Sequence, residues 1–236
     1  MMKRLLGLFL SLCLIVGSIF SLTSCDRDYD EAEVISAAST LIERCVKLKI
    51  NDIFFGEGIH YDPLESDIFY GNYKEADLSH LEELGFSELS ELEYISTTVY
   101  TAECYESVFK NVLKPSYDVA GNIVSFARYT ERRNEKTGEF ISLLVNINYE
   151  GKVLPGSVEY HTSTLEIIDV DGEVIRLSVK ATVTSPDGEK TQMRTVRFNM
   201  IETTDGWRLD SPIYVGYDEN YSRYDELIEE NEDIFG

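Results

Sequence analysis

Apolar positions recur at helical spacing early in the chain and at alternating spacing later. From Glu31 to about Lys49, Val34, Ala38, Leu41, Cys45 and Leu48 step by four and three, which places them on one face of a helix. A second helical region is expected from about Ser79 to Leu113, with a break at Gly85. Ser90 and Glu93 have the spacing of a capping box, and Ile95, Val99, Ala102, Phe109 and Val112 continue a helical stripe up to Pro115. Between these regions, 51–77 is rich in aromatic residues and interrupted by Gly56, Gly58, Pro63 and Gly71, so it reads as an irregular connection or a lid.

After Gly121 the period drops to two. Ile141, Leu143, Val145, Ile147 and Tyr149 alternate with Ser142, Asn146 and Asn148, and Ile175, Leu177, Val179, Ala181 and Val183 alternate with Arg176, Ser178, Lys180 and Thr182, the pattern of antiparallel strands with one wet face. Asp171-Gly172, Pro186-Asp187-Gly188 and Asp205-Gly206 are turn signals joining strands around 158–168, 173–185, 190–203 and 207–213. The runs 122–132 and 139–149 are expected to pair across Asn134 to Gly138. The fold class is therefore α+β, with N-terminal helices packed on a curved antiparallel sheet of five or six strands.

The first residues obey a different rule. Lys3 and Arg4 precede an uncharged run from Leu5 to Ser24, and Asp26, Asp28 and Asp30 follow Cys25 at once. A basic start, an apolar core and small residues before a cut site form an export signal, to be set apart from the fold. The segment Leu22-Thr23-Ser24-Cys25 resembles the lipobox of bacterial lipoproteins. That resemblance implies diacylglycerol on the Cys25 thiol, further acylation such as palmitate, cleavage before Cys25 and a membrane-anchored protein on the extracytoplasmic face. Two or more acyl chains anchor stably where one binds reversibly. The alternative is an uncleaved membrane helix, since about 20 apolar residues span a bilayer. Either way the remaining chain lies outside the cytoplasm. The expected organisation is a signal over 1–24, an acidic tether over 25–30, the α+β domain over 31–215 and an acidic tail over 216–236, either a short helix or unstructured.

Helices followed by long strands that end in Asp205-Gly206-Trp207-Arg208-Leu209-Asp210 are similar to the NTF2-like (cystatin-like α+β) superfamily. Many bacterial lipoproteins carry this domain and finish on a hairpin of the form Asp-Gly-x-Trp-x-aliphatic-Asp, from which this chain departs by one residue. The resemblance implies a cone whose mouth holds ligands. It also implies an acid-base group inside the cone in those members that are isomerases, dehydratases or hydrolases.

Charge narrows the partners. The chain carries 43 acidic and 21 basic residues, a formal −22, and cleavage before Cys25 would remove only basic ones. No basic stripe is present to neutralise phosphates, so nucleic acid is not an expected partner. Anionic headgroups are also repelled, leaving the lipid anchor as the contact with the membrane. Cys45 and Cys104 are the cysteines outside the leader and the lipobox, and they form either a disulfide or two buried thiols. Among His60, His80 and His161, His161 is the best pocket candidate, because a strand side chain can project into a cone. No Cys-His or Ser-His-Asp spacing, metal-ligand pattern or glycine-rich phosphate cradle stands out, and no cofactor is expected. Asp26 to Asp30 starts like a calcium loop but has Glu31 where glycine is needed and Ala37 where glutamate is needed. The function these features imply is an extracytoplasmic lipoprotein binding a small molecule, a peptide or an envelope protein without catalysis. The alternatives are an acid-base enzyme in the cone, or an interaction protein using the aromatic loop or acidic tail.

Overall fold

A computed structural model describes residues 29–64, 66–149 and 157–218. The export signal, the lipobox with Cys25 and the acidic tail beyond Asp218 lie outside the described residues.

Helix α1, Glu31–Lys47, follows from its stripe and its ends. Asp30 Oδ1 accepts from the Ala32 N–H at 2.9 Å, Glu31 and Glu33 sit at the positive end of the helix dipole, and Arg44 and Lys47 sit at the negative end. Val34, Ala38, Leu41, Ile42 and Cys45 are buried. The chain then kinks at Lys49, whose φ of 50° is unusual for a residue with a side chain, into α2, Ile50–Phe55. Helix α2 and strand β1, Tyr73–Glu75, give regular structure to both ends of the segment expected to be irregular.

Helix α3, Leu78–Leu84, is capped by Asp77 and stopped by Gly85. Helix α4, Leu89–Thr97, starts earlier than the Ser90/Glu93 spacing suggested. The capping carboxylate is Glu91, which accepts from the Ser87 N–H at 2.7 Å and the Glu88 N–H at 3.3 Å.

The helical stripe that runs on through Val99 in the sequence is broken in space. Val99, Tyr100 and Thr101 leave the helix to run along the last strand: the Leu209 N–H donates to Val99 O at 2.9 Å, and the Thr101 N–H donates to Leu209 O at 2.8 Å. Thr101 then caps a new start through the Cys104 N–H, at 3.0 Å. The helical stretch over 102–113 passes through one α turn (Ala102–Cys104), a π turn (Tyr105–Phe109) and a 3₁₀ turn (Lys110–Leu113).

Among the described residues the strands form three antiparallel sheets and not the single curved sheet expected, because the strands before residue 150 pair among themselves. Strands β2, Ser116–Tyr117, and β3, Ile123–Ser125, make a short hairpin whose turn is held by Asp118. Strand β4, Tyr129–Arg133, pairs with β5, Phe140–Asn146, across the expected turn, and β1 joins the other edge of β5. The expected single run over 122–132 is thus divided between two sheets. The long strands β6, Val158–Asp171; β7, Val174–Thr184; β8, Thr191–Thr203; and β9, Gly206–Leu209, lie in that order in the third sheet. Their hairpins fall at the expected turns. The alternation of β7 is realised: Ile175, Leu177, Val179, Ala181 and Val183 are buried on the inner face against α1 and the aromatic cluster of Phe54, Tyr100, Tyr105 and Phe109.

The closing motif works as a clasp. Trp207 Nε1 donates to Glu33 in the first turn of α1, Arg208 Nε donates to Thr97 O at 3.1 Å, and Thr101 Oγ1 donates to Asp210 at 2.6 Å. Leu209 is fully buried between them. The motif thereby ties α1 and the end of α4 to the edge of the long sheet.

Candidate functional site

For most of its length the inner face of the long sheet is filled, but at the β7–β8 hairpin end it opens. There a cavity of about 710 Å³ lies between the α1–α2 junction and strands β6 and β7. Val46, Val158 and Pro186 form apolar walls, and the exposed Lys49, Asp52 and Glu57 stand at the mouth. The hairpin wall is rigidly made. Ser185 N–H donates to Lys190 O at 2.8 Å, Lys190 N–H returns to Ser185 Oγ at 2.9 Å, and Asp187 accepts from the Glu189 N–H at 3.0 Å. The Ser185 hydroxyl also donates to Asp187 Oδ1, and this bond first, then that from the Glu189 N–H, holds the Asp187 carboxyl below its usual range.

The floor is a chain of neutral hydrogen-bonding groups. Tyr100 donates to Asn51 Oδ1 at 3.0 Å, so the Cys45 thiol, 3.3 Å from the Tyr100 hydroxyl oxygen, is the donor to that oxygen. Tyr160 donates to Ile213 O. Burial pushes the Cys45 thiol up to about 11 and raises the Tyr100 and Tyr160 hydroxyls well above the ordinary phenol value. All three therefore remain protonated at neutral pH. Cys45 and Tyr160, which line the cavity, can orient a ligand by hydrogen bonding, whereas a nucleophile or general base would need a lower pKa.

Tyr160, and not His161, lines this cavity. Successive strand residues point to opposite faces. Tyr160 stands opposite the buried Ala181, whereas His161 stands opposite the exposed Lys180 and bonds Thr182 Oγ1 through Nε2 at 2.7 Å on the outer face. The sequence shows that one of two neighbours enters the sheet interior; the register with β7 decides which. Cys45 and Cys104 are both buried free thiols. Cys45 contributes to the cavity floor, while Cys104 lies in the first turn after Thr101, its thiol pushed up to about 12 by burial and by the nearby Asp210 charge.

His60 and His80 are brought together twenty residues apart in sequence. Their rings stack with centroids 3.9 Å apart, and the His60 N–H donates to His80 Nδ1 at 2.9 Å, which sets the neutral His80 tautomer with hydrogen on Nε2. Burial first, then the charge of His60, lowers the His80 pKa. The pair borders a second hollow of about 320 Å³ that shares Lys49, Asp52 and Glu57 with the mouth of the larger cavity. Among the described residues no group of three or more His, Cys, Asp or Glu side chains could hold a metal ion.

The aromatic segment is divided. Phe54 and Tyr73 are buried, whereas Tyr61, Leu64, Ile68 and Tyr70 are exposed. Neither a protein-family model nor a curated protein matches the chain.

Proposed function

We propose that this chain is an extracytoplasmic lipoprotein, anchored through Cys25, whose NTF2-like domain binds a small molecule in the cavity between α1–α2 and the β6–β8 end of the long sheet. The observation that carries the binding reading is the cavity itself. At about 710 Å³ it falls within the range of small-molecule sites and combines apolar walls with a few convergent polar groups. The NTF2-like reading is supported by a long helix packed on a four-stranded antiparallel sheet and by the terminal Asp-Gly-Trp hairpin; on that reading the opening is the ligand-holding mouth. An acid-base enzyme in the same cavity is the weaker reading. Its buried titratable groups are a thiol and a phenol whose pKa values move away from neutrality, and His161 belongs to the other face.

Val46 is half exposed at the cavity wall, so Val46→Trp fills the opening with little demand on the core. Small molecules released on denaturing the purified full chain are expected to include one near stoichiometric amount that Val46→Trp loses at unchanged thermal stability. Identical extracts from the two proteins would remove the binding reading. For the anchor, Cys25→Ser is expected to abolish acyl labelling and release from the leader. Unaltered processing and membrane retention would remove the lipid reading.

A further inference from the structure

We infer that the ligand is a small organic cation, an apolar body bearing one protonated amine, received at the mouth by Asp52 and Glu57; this rests on the cavity being the binding site. Among the described residues the floor and walls offer a ligand no charge. Cys45, Asn51 and Tyr160 supply hydrogen-bonding dipoles, and Val46, Val158 and Pro186 supply apolar contact. Selection by charge therefore falls to the mouth. Lys49, its one cation among the described residues, is already 2.7 Å from Glu83 in an ion pair pointing into the neighbouring hollow. Asp52, in the last turn of α2, accepts the Glu57 backbone N–H at 3.1 Å, which holds its carboxylate beside the backbone that carries Glu57. The His60 ring places Nε2 3.8 Å from a Glu57 carboxylate oxygen.

A carboxylate-bearing ligand would have to displace Glu83 from Lys49 while facing both acids. An amine meets two acceptors with no such exchange. The long-range field has the same sign, because a chain of net charge −22 concentrates cations near its clefts and repels anions. Individual exposed pairs contribute little, and two carboxylates at a partly enclosed mouth amount to about a tenfold preference for the charged form of one molecule.

The test uses three probes with one body, n-octylammonium, 1-octanol and octanoate, titrated into the full chain by calorimetry. Amide chemical shifts of Val46, Asn51, Val158 and Gly188 report where they bind. The amine is expected to bind about tenfold tighter than the alcohol and the carboxylate weakest of all, with the gap between amine and alcohol closing at high salt. Asp52→Asn combined with Glu57→Gln is expected to bring the amine to the affinity of the alcohol while leaving the alcohol unchanged. Glu57→Gln alone, at an exposed side chain, is expected to weaken the amine a few-fold. Equal binding of amine and alcohol at these amides, or amine binding indifferent to both substitutions, overturns the cation inference and leaves the cavity standing as a site. Absence of shifts at these amides with all three probes overturns the cavity reading as well.

Discussion

Gly58→Ala is expected to destabilise the protein by about 3–5 kcal/mol, a fall in Tm of roughly 10 °C for a domain of this size. Two costs combine. Gly58 has φ of 82°, where a side chain costs about 1–2 kcal/mol. A Cβ there would also lie 2.3 Å from both Arg128 Nη2 and the Tyr129 hydroxyl. Neither neighbour can yield freely. Arg128 is buried with its guanidinium between the Tyr129 and Tyr149 rings, and its Nη2 donates to Gly56 O at 2.6 Å. A melt indistinguishable from the wild type would show that the turn after α2 is not held against β4 in this way.

Tyr129→Phe comes second, at about 2–4 kcal/mol. The Tyr129 hydroxyl donates to Ile53 O at 2.6 Å and accepts from the Ile59 N–H at 3.0 Å, so it bridges the end of α2 to the chain beyond Gly58. Burial raises it to about 12, and it remains a donor across the physiological range. Phenylalanine would leave a buried carbonyl and a buried amide without their partner, and for buried groups that loss costs more than the bond contributes. Urea unfolding should show a lower midpoint with an unchanged slope. The double variant with Gly58→Ala should lose less than the two singles together, since the phenyl ring removes one of the two atoms the new methyl would strike. Strict additivity would mean that the hydroxyl and Gly58 do not share this contact.

These two sites also determine where Asp52 and Glu57 stand. The turn from Gly56 to His60 is tied by Arg128 to Gly56, by Tyr129 to Ile59 and by His80 to His60, and it carries Glu57 at the cavity mouth. Loosening it should weaken ligand binding as well as stability, which links the core around Tyr129 to the candidate site.

Much of this architecture was legible in the order of residues. Helix α1 and strand β7 were visible because each buries one face, and burying one face imposes a period of 3.6 or 2 on the chain itself. The hairpins were visible because their turns need particular residues at particular places, as Asp-Gly does between β8 and β9. The acidic charge and its consequences for partners require no fold at all. What the sequence could not determine depends on contacts between distant residues. Residues 99–101 have helical spacing yet run beside β9, because Leu209, more than a hundred positions later, offers backbone partners there. Tyr160 and not its neighbour His161 faces the cavity because of register with β7. Asp52 and Glu57 became mouth residues only when Arg128 and Tyr129, some seventy positions on, fastened their turn beside the long sheet. Local periodicity records which face a residue shows; only the packed chain decides what that face meets.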